Sequence, residues 1–308
     1  MTESVLKLDN VVKTYGDFTA VNGISLDIPK GSIYGFLGPN GAGKTTTIRM
    51  ILDIVKPTSG QITLLGHGSA LDVRNRIGYL PEEKGLYKKM KVWAIIQYFA
   101  RLKGMDKGPA KLKAFALLEK YGLSDFADAK IESLSKGMGQ KVQVLSAVAH
   151  DPEFVILDEP FSGLDPVNQA VLEELITDMA GNGQTVIFST HVMQHAERLC
   201  DRILLISKGQ KVFDGTLAEA RATIPRRVLI TTESDVAPLA GLSGVQDIMA
   251  VGANQWHINI SETVNPQDIL AFCANASIAI RGFEFSESSL HDVFVNLVGD
   301  GAREHLKR

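Results

Sequence analysis

The run "GPNGAGKT" at residues 38–45 follows the apolar stretch Ile33–Leu37 and leads into "TTIRMILDIV". Its glycines let the chain fold tightly enough to turn several backbone N–H groups toward one point. A helix starting directly afterwards aims the positive end of its dipole at the same point. The spacing G-x-x-x-x-G-K-[ST] between a buried strand and a helix is that of a phosphate-cradling loop. Its candidate phosphate-binding residues are Gly38, Pro39, Asn40, Gly41, Ala42, Gly43, Lys44, Thr45 and Thr46. In such a loop the lysine reaches the β- and γ-phosphates. Thr45 offers its hydroxyl to Mg²⁺, a cation that keeps most of its waters and takes few protein ligands.

A second apolar run, "FVILDEP", ends in Asp158 and Glu159. In open parallel α/β sheets, ligands bind at the carboxyl ends of the strands. Asp158 is therefore expected to hold Mg²⁺, directly or through water. Glu159 is expected to polarise the water that attacks the γ-phosphate. A third such run, "TVIFSTH", ends in His191, which could hydrogen-bond the γ-phosphate. His195 lies four residues on and Cys200 is near, so a metal is the competing reading. A structural zinc needs a fourth ligand, and the sequence offers none.

Buried strands alternating with helical stretches predict a mostly parallel sheet covered by helices. Residues 5–36 read as a β-rich start, and Tyr87 to Leu134 as helical. "LSKGMGQKVQ" at 134–143 reads as a helix start capped by Ser135. Its two glycines leave more bare backbone than capping requires. Asp165-Pro166 opens another helix, which Gly181 ends. "RILLISKGQKVFDG" reads as a hairpin. A break follows near 221–227. Beyond it the order is strand (228–232), weak helix (235–242), strand (245–251), strand (255–260), helix (266–275), strand (277–285). That is the β-α-β-β-α-β order of a ferredoxin-like α+β domain. A last helix places Leu290, Val293, Phe294 and Leu297 on one face.

The 308 residues suit about two domains, and 45% apolar composition supports real cores. A formal net charge of −3 carries no basic footprint, so no nucleic-acid partner is expected. Cys200 and Cys273 read as reduced thiols. The sequence shows neither a signal peptide nor the roughly 18–20 consecutive apolar residues that cross a bilayer. A soluble protein is expected, held at any membrane by something else.

The phosphate loop, helical insert, "LSKGMGQK", "FVILDEP", "SGLD" and strand-end His occur in one order. This order resembles the nucleotide-binding domain of ABC transporters over about residues 3–220. The resemblance implies an α/β P-loop ATPase fold with a mixed-sheet core, a β-rich N-terminal subdomain and a helical insert. The expected domains are 1–220, with the insert at about 82–145, and an accessory domain at 226–308. In that family, "LSKGMGQK" corresponds to the signature loop, usually Leu-Ser-Gly-Gly-Gln. Two domains meet head to tail, each signature loop closing on the ATP held by the other. The resemblance therefore gives Ser135 and Gly137 a partner's γ-phosphate to contact in trans. It makes Tyr15 the aromatic that stacks on adenine, Asp165 part of the loop coupling the two sites, and His191 the switch histidine. Glu82, in "IGYLPEEKGLY", stands where the family has a glutamine near Mg²⁺. Lys136 stands where the family has glycine, and Met138 where it has glutamine. Lys136 is left two readings, a positive charge near the partner's phosphates or a solvent-facing side chain.

"YLPEEKGLYKKM" and "SKGM" look like the bacterial branch of sodium- and drug-export ATPases, which often carry a small added domain. The expected function is a Mg-dependent ATP hydrolase that dimerises on ATP and drives export through separate polytopic membrane subunits. It would sit in the cytoplasm, peripheral on the inner face of the membrane. The alternative is a soluble ABC ATPase in translation, repair or cofactor assembly.

Overall fold

The computed structural model describes residues 3–83, 85–261, 264–286 and 288–299. Lys84 of the loop opening the insert and residues 300–308 of the expected accessory domain lie outside the described residues. The chain divides into two compact units, one up to Leu217 and one from Ala218.

The first unit begins with β1 (Ser4–Tyr15), β2 (Phe18–Pro29), β3 (Ile33–Leu37), α1 (Lys44–Ile51), β4 (Ser59–Leu64) and β5 (Ile77–Leu80). There follow α2 (Val92–Leu102), α3 (Lys107–Lys120), α4 (Lys136–Val148), β6 (Phe154–Leu157) and α5 (Pro166–Gly181). It closes with β7 (Thr185–Thr190), α6 (Met193–Leu199), β8 (Arg202–Ser207) and β9 (Gln210–Thr216).

Two sheets form this unit. A three-stranded antiparallel sheet has the order β2-β1-β4, and a six-stranded sheet has the order β5-β6-β7-β3-β8-β9. Pairings from β5 through β8 are parallel, and only the β8–β9 hairpin is antiparallel. Strands β3, β6 and β7 are buried at every position. Both faces of these strands are covered, so continuous apolar runs replace the alternation of a one-sided strand. Tyr34, Phe36, Ile156, Ile187 and Leu204 join one core with Leu6, Leu8 and Ile24 of the N-terminal sheet.

The parallel register positions the site. Leu37 pairs with Thr190, and Leu157 with Phe188. The chain therefore leaves β3, β7 and β6 at the same sheet edge. Leu80 of β5 pairs with Leu157, which brings the segment with Glu82 out at that edge too.

The second unit contains α7 (Leu217–Arg221, which bridges the boundary), β10 (Arg226–Thr232), β11 (Val245–Gly252), β12 (Gln255–Ile260), α8 (Pro266–Asn275), β13 (Ile280–Ser286) and α9 (Leu290–Val298). Its sheet has the order β11-β12-β10-β13, all antiparallel, which is the ferredoxin-like topology. Val228, Ile230, Ile258 and Ile260 form the core with Ile269 and Cys273 of α8.

Two expectations change here. The weak helix is only a five-residue 3-10 turn at Ala237–Gly241. The last strand starts at Ile280 rather than 277, because Ser277 takes a left-handed conformation, φ 55°. Leu290, Val293 and Phe294 are buried, and a Ser289–Asp292 capping box starts their helix.

Truncating a side chain in the central strand should be costly. Ile187→Ala is expected to destabilise the first unit by about 2–5 kcal/mol, the cost of a large-to-small change in a packed core. Denaturant unfolding checks this, and a loss within experimental error would contradict the packing of β7.

Candidate functional site

The loop after β3 is built by contacts that exclude side chains. A Cβ on Gly38 would lie 2.2 Å from the Ile206 carbonyl oxygen. One on Gly43 would lie 2.6 Å from that of Ala20, and Gly43 has φ 106°. Gly43 is also the N-cap of α1 and supplies no side-chain cap, so backbone donors of the first turn are left for a ligand. Lys44 opens that helix. It is only 5% exposed, and its Nζ donates to the Gly38 carbonyl at 2.7 Å and the Pro39 carbonyl at 3.3 Å.

The acidic pair leaves β6 beside this loop. Asp158 is 1% and Glu159 9% exposed. Glu159 Oε1 lies 3.5 Å from Lys44 Nζ, and Oε2 lies 3.0 Å from His191 Nδ1. The structure thus joins Lys44, Glu159 and His191 in one chain of polar contacts. Glu159 holds a left-handed backbone conformation, φ 48°, which costs a non-glycine residue on the order of 1 kcal/mol. That turn carries its carboxylate from the strand end into the contacts with Lys44 and His191.

A residue absent from the sequence-based set organises the pair. Ser189 of β7 donates its hydroxyl to Asp158 Oδ1 at 2.5 Å and accepts the Glu159 N–H at 2.9 Å. Its only sequence signal was a serine, next to Thr190, following the apolar run at 186–188. Asp158 Oδ2 is buried without a hydrogen-bond partner. Burial pushes the Asp158 carboxyl above its ordinary range, and the Glu159 charge adds to this. The Ser189 and Thr45 hydroxyls and the Lys44 charge oppose the shift. A buried carboxylate oxygen without a partner, close to a threonine hydroxyl, fits a hydrated divalent cation such as Mg²⁺.

The other expected residues take no part in the contacts that join Lys44, Glu159 and His191. Tyr15 ends β1 and is 50% exposed, so it is not a core tyrosine, and Lys13 Nζ stands 5.0 Å from its ring centroid. Glu82 is exposed, two residues beyond β5. Ser135 caps α4, accepting the Met138 N–H at 3.3 Å, and is exposed. Asp165 caps α5, accepting the Asn168 N–H at 2.9 Å. Gly137 is buried, and the Asn168 side chain fills the space its Cβ would take. Its bareness thus has a reason inside the chain. Lys136 lies over Gly163, and its Nζ would be 2.1 Å from a Cβ there.

His195 is buried and stacks on Phe161 with ring centroids 4.1 Å apart. Burial pushes its imidazole below the usual range, and Arg198 pushes in the same direction. Cys200 packs against Gly35, and burial pushes its thiol well up. Among the described residues, no group of three or more His, Cys, Asp or Glu could hold a metal ion.

Comparison with known proteins gives a consistent picture. A family model described as ABC transporter matches residues 21–162. Another, described as ATP-binding protein DrrA1-3-like, C-terminal domain, matches residues 215–298. The uncharacterized ABC transporter ATP-binding protein YhaQ of Bacillus subtilis (strain 168) is 43% identical over 296 residues, 96% of this chain and 99% of the relative. The Nod factor export ATP-binding protein I of Burkholderia orbicola (strain AU 1054) is 38% identical over 218 residues, 70% of this chain and 72% of the relative. An ATP-binding cassette solved as a dimer in a post-hydrolysis state with ADP and Pi superposes with TM-score 0.64 at 25% identity. That match covers 69% of this chain and 98% of the other.

The raised Asp158 carboxyl has a consequence for stability. The fold favours its protonated form, so the ionised form burdens the fold above the raised pKa. Below that range the burden disappears. Asp158→Asn, with chelator and no nucleotide, is therefore expected to unfold at a higher temperature than wild type near neutral pH. The advantage should shrink as pH falls through the carboxylate range. Thermal scans at several pH values check this, and a pH-independent difference would contradict it.

Proposed function

The chain belongs to the family of ABC transporter ATP-binding proteins, and from that membership we propose that it hydrolyses Mg·ATP as the motor of an exporter. Members of this family are ATPases. The observation that carries the site assignment is the Glu159 carboxylate, with Lys44 Nζ at 3.5 Å on one oxygen and His191 Nδ1 at 3.0 Å on the other.

In this reading residues 38–46 wrap the phosphates with backbone N–H groups, and Lys44 turns its ammonium to the β- and γ-phosphates. Thr45 and Asp158 would hold Mg²⁺, which supplies charge neutralisation across the phosphates. Glu82 is a further candidate near that cation. Glu159 orients the attacking water and polarises its O–H bond. The water oxygen bonds to the γ-phosphorus as the bond to the ADP oxygen breaks. His191 holds the Glu159 carboxylate and stands at the strand edge where the γ-phosphate would lie. Tyr15 offers a ring face to adenine.

A second copy supplies Ser135, the Gly137 backbone and Asp165 across a head-to-tail dimer. The dimeric post-hydrolysis cassette among the structural neighbours supports the pairing of two copies. Closure of that dimer would drive separate polytopic membrane subunits, and the Nod factor export relative supports the outward direction. Among the described residues no helix is long and apolar enough to cross a membrane. We place the protein on the cytoplasmic face, with residues 1–220 as the motor and 226–308 as an accessory domain.

Glu159→Gln is expected to lower ATP turnover by about 10²-fold or more while ATP binding persists. The same variant should accumulate as a dimer with ATP on size-exclusion chromatography. Unchanged hydrolysis would remove Glu159 from its role. Ser135→Phe should spare ATP binding by the monomer and block both turnover and dimer formation; full activity would contradict the trans site. Purification from detergent-solubilised membranes should bring down a polytopic partner, and its absence would leave an ATPase uncoupled from transport.

A further inference from the structure

Three contacts tie the start of α4 to the stretch from Pro160 to the first turn of α5. Gln140 Nε2 donates to the Pro160 carbonyl at 3.2 Å. The Lys136 side chain lies over Gly163, whose missing Cβ leaves that face of the backbone open. The Asn168 side chain packs on Gly137 so closely that a Cβ there would lie 2.4 Å from Nδ2 and 2.8 Å from Cγ.

Asn168 has a second set of contacts. Its backbone N–H donates to Asp165 Oδ1 at 2.9 Å, and its Nδ2 donates to Asp165 Oδ2 at 2.7 Å. Both oxygens of Asp165 are thus held by one residue. Those bonds keep the Asp165 carboxyl below its usual range, the backbone bond contributing most. The amide plane that fixes Asp165 therefore also fits against Gly137.

We propose that Asn168 is a positioning residue that locks Asp165 and the Ser135–Gly137 segment into one preassembled half-site within each chain. Lys136 and Gln140 reinforce the lock by gripping the backbone between Glu159 and Asp165. The inference rests on the trans-site reading given above and adds what holds that half-site in shape. It also gives the departure at position 136 a physical role. A side chain is accommodated there because Gly163 has none, and the ammonium end of Lys136 lies over the bare glycine backbone. This contact within the chain is neither of the two readings left to Lys136, and it needs no partner's phosphate.

Preassembly matters energetically because two mobile loops would each lose conformational freedom on dimer closure. A locked half-site has lost that freedom on folding. Loosening it should weaken dimer closure and turnover, and should leave ATP binding to the monomer's own phosphate loop intact.

The test uses the full chain and ATP itself. Asn168→Ala should lower kcat at saturating ATP by about tenfold, the factor expected for one hydrogen bond to a charged group. In the Glu159→Gln background it should raise the protein concentration needed for ATP-dependent dimerisation by a similar factor. ATP affinity of the monomer, read with a fluorescent nucleotide, should not move.

Gly137→Ala supplies the second arm. Its added methyl meets Asn168, so it should be defective alone and at least partly restored when combined with Asn168→Ala, a coupling that only direct contact produces. Wild-type kcat and dimerisation in Asn168→Ala, or equal defects of Gly137→Ala with and without Asn168, would overturn the proposal. Such results alongside a trapped Glu159→Gln dimer would sink the lock alone. Loss of the Glu159→Gln behaviour would instead remove the trans-site reading beneath it.

Discussion

One hydroxyl, Ser189 Oγ, donates to Asp158 Oδ1 and accepts the N–H of Glu159, and it can do both only because β6 and β7 run parallel in a single register. Leu157 pairs with Phe188, so the next residue on each strand falls side by side. Shift either strand by one residue and every inward side chain changes face. Both faces of these strands are packed, so such a shift would swap side chains of different size between two filled layers and draw a flanking polar residue into the core. The geometry of the acidic pair is thus set by the core beneath it. In the same register, Leu37 pairs with Thr190, which brings the phosphate loop and His191 to that edge.

Burial at this edge acts in two directions. It makes the ionised Asp158 costly, because a carboxylate leaves water with one oxygen unpaired. It also raises the worth of any charge that arrives to pair with it, since screening is weak in a dry site. Lys44 stands in the same surroundings, with its Nζ between loop carbonyls and the Glu159 carboxylate. The left-handed backbone at Glu159 belongs to the same economy. A local conformational cost is held in place by the packed strands and by hydrogen bonds on both sides of the residue.

Much of the fold was legible because the apolar pattern is strong. Continuous apolar runs marked β3, β6 and β7, and turn residues marked the ends of α5 and the β8–β9 hairpin. The ferredoxin-like order of the second unit was readable for the same reason. Its errors fell where propensity is weak and local backbone decides, at the 3-10 turn near Pro238 and at the left-handed Ser277. The candidate site was legible where a motif carries its own spacing, as in residues 38–45. Ser189 was not, because a serine in a strand has no spacing signature. Asn168 was not, because its partners at 137 and 165 lie on separate segments of the chain.

The sequence by itself determined the parts. It determined a glycine loop between strand and helix, two acids and a histidine at strand ends, a serine and an aspartate at helix caps, and a second domain with its own core. These are local properties of spacing, propensity and periodicity. Only the tertiary structure decided which parts touch. Strand order put Lys44, Glu159 and His191 in one contact chain, and the approach of α4 to α5 set Asn168 against Gly137. Such contacts join residues far apart in the chain, and they depend on how the core excludes every other register and approach.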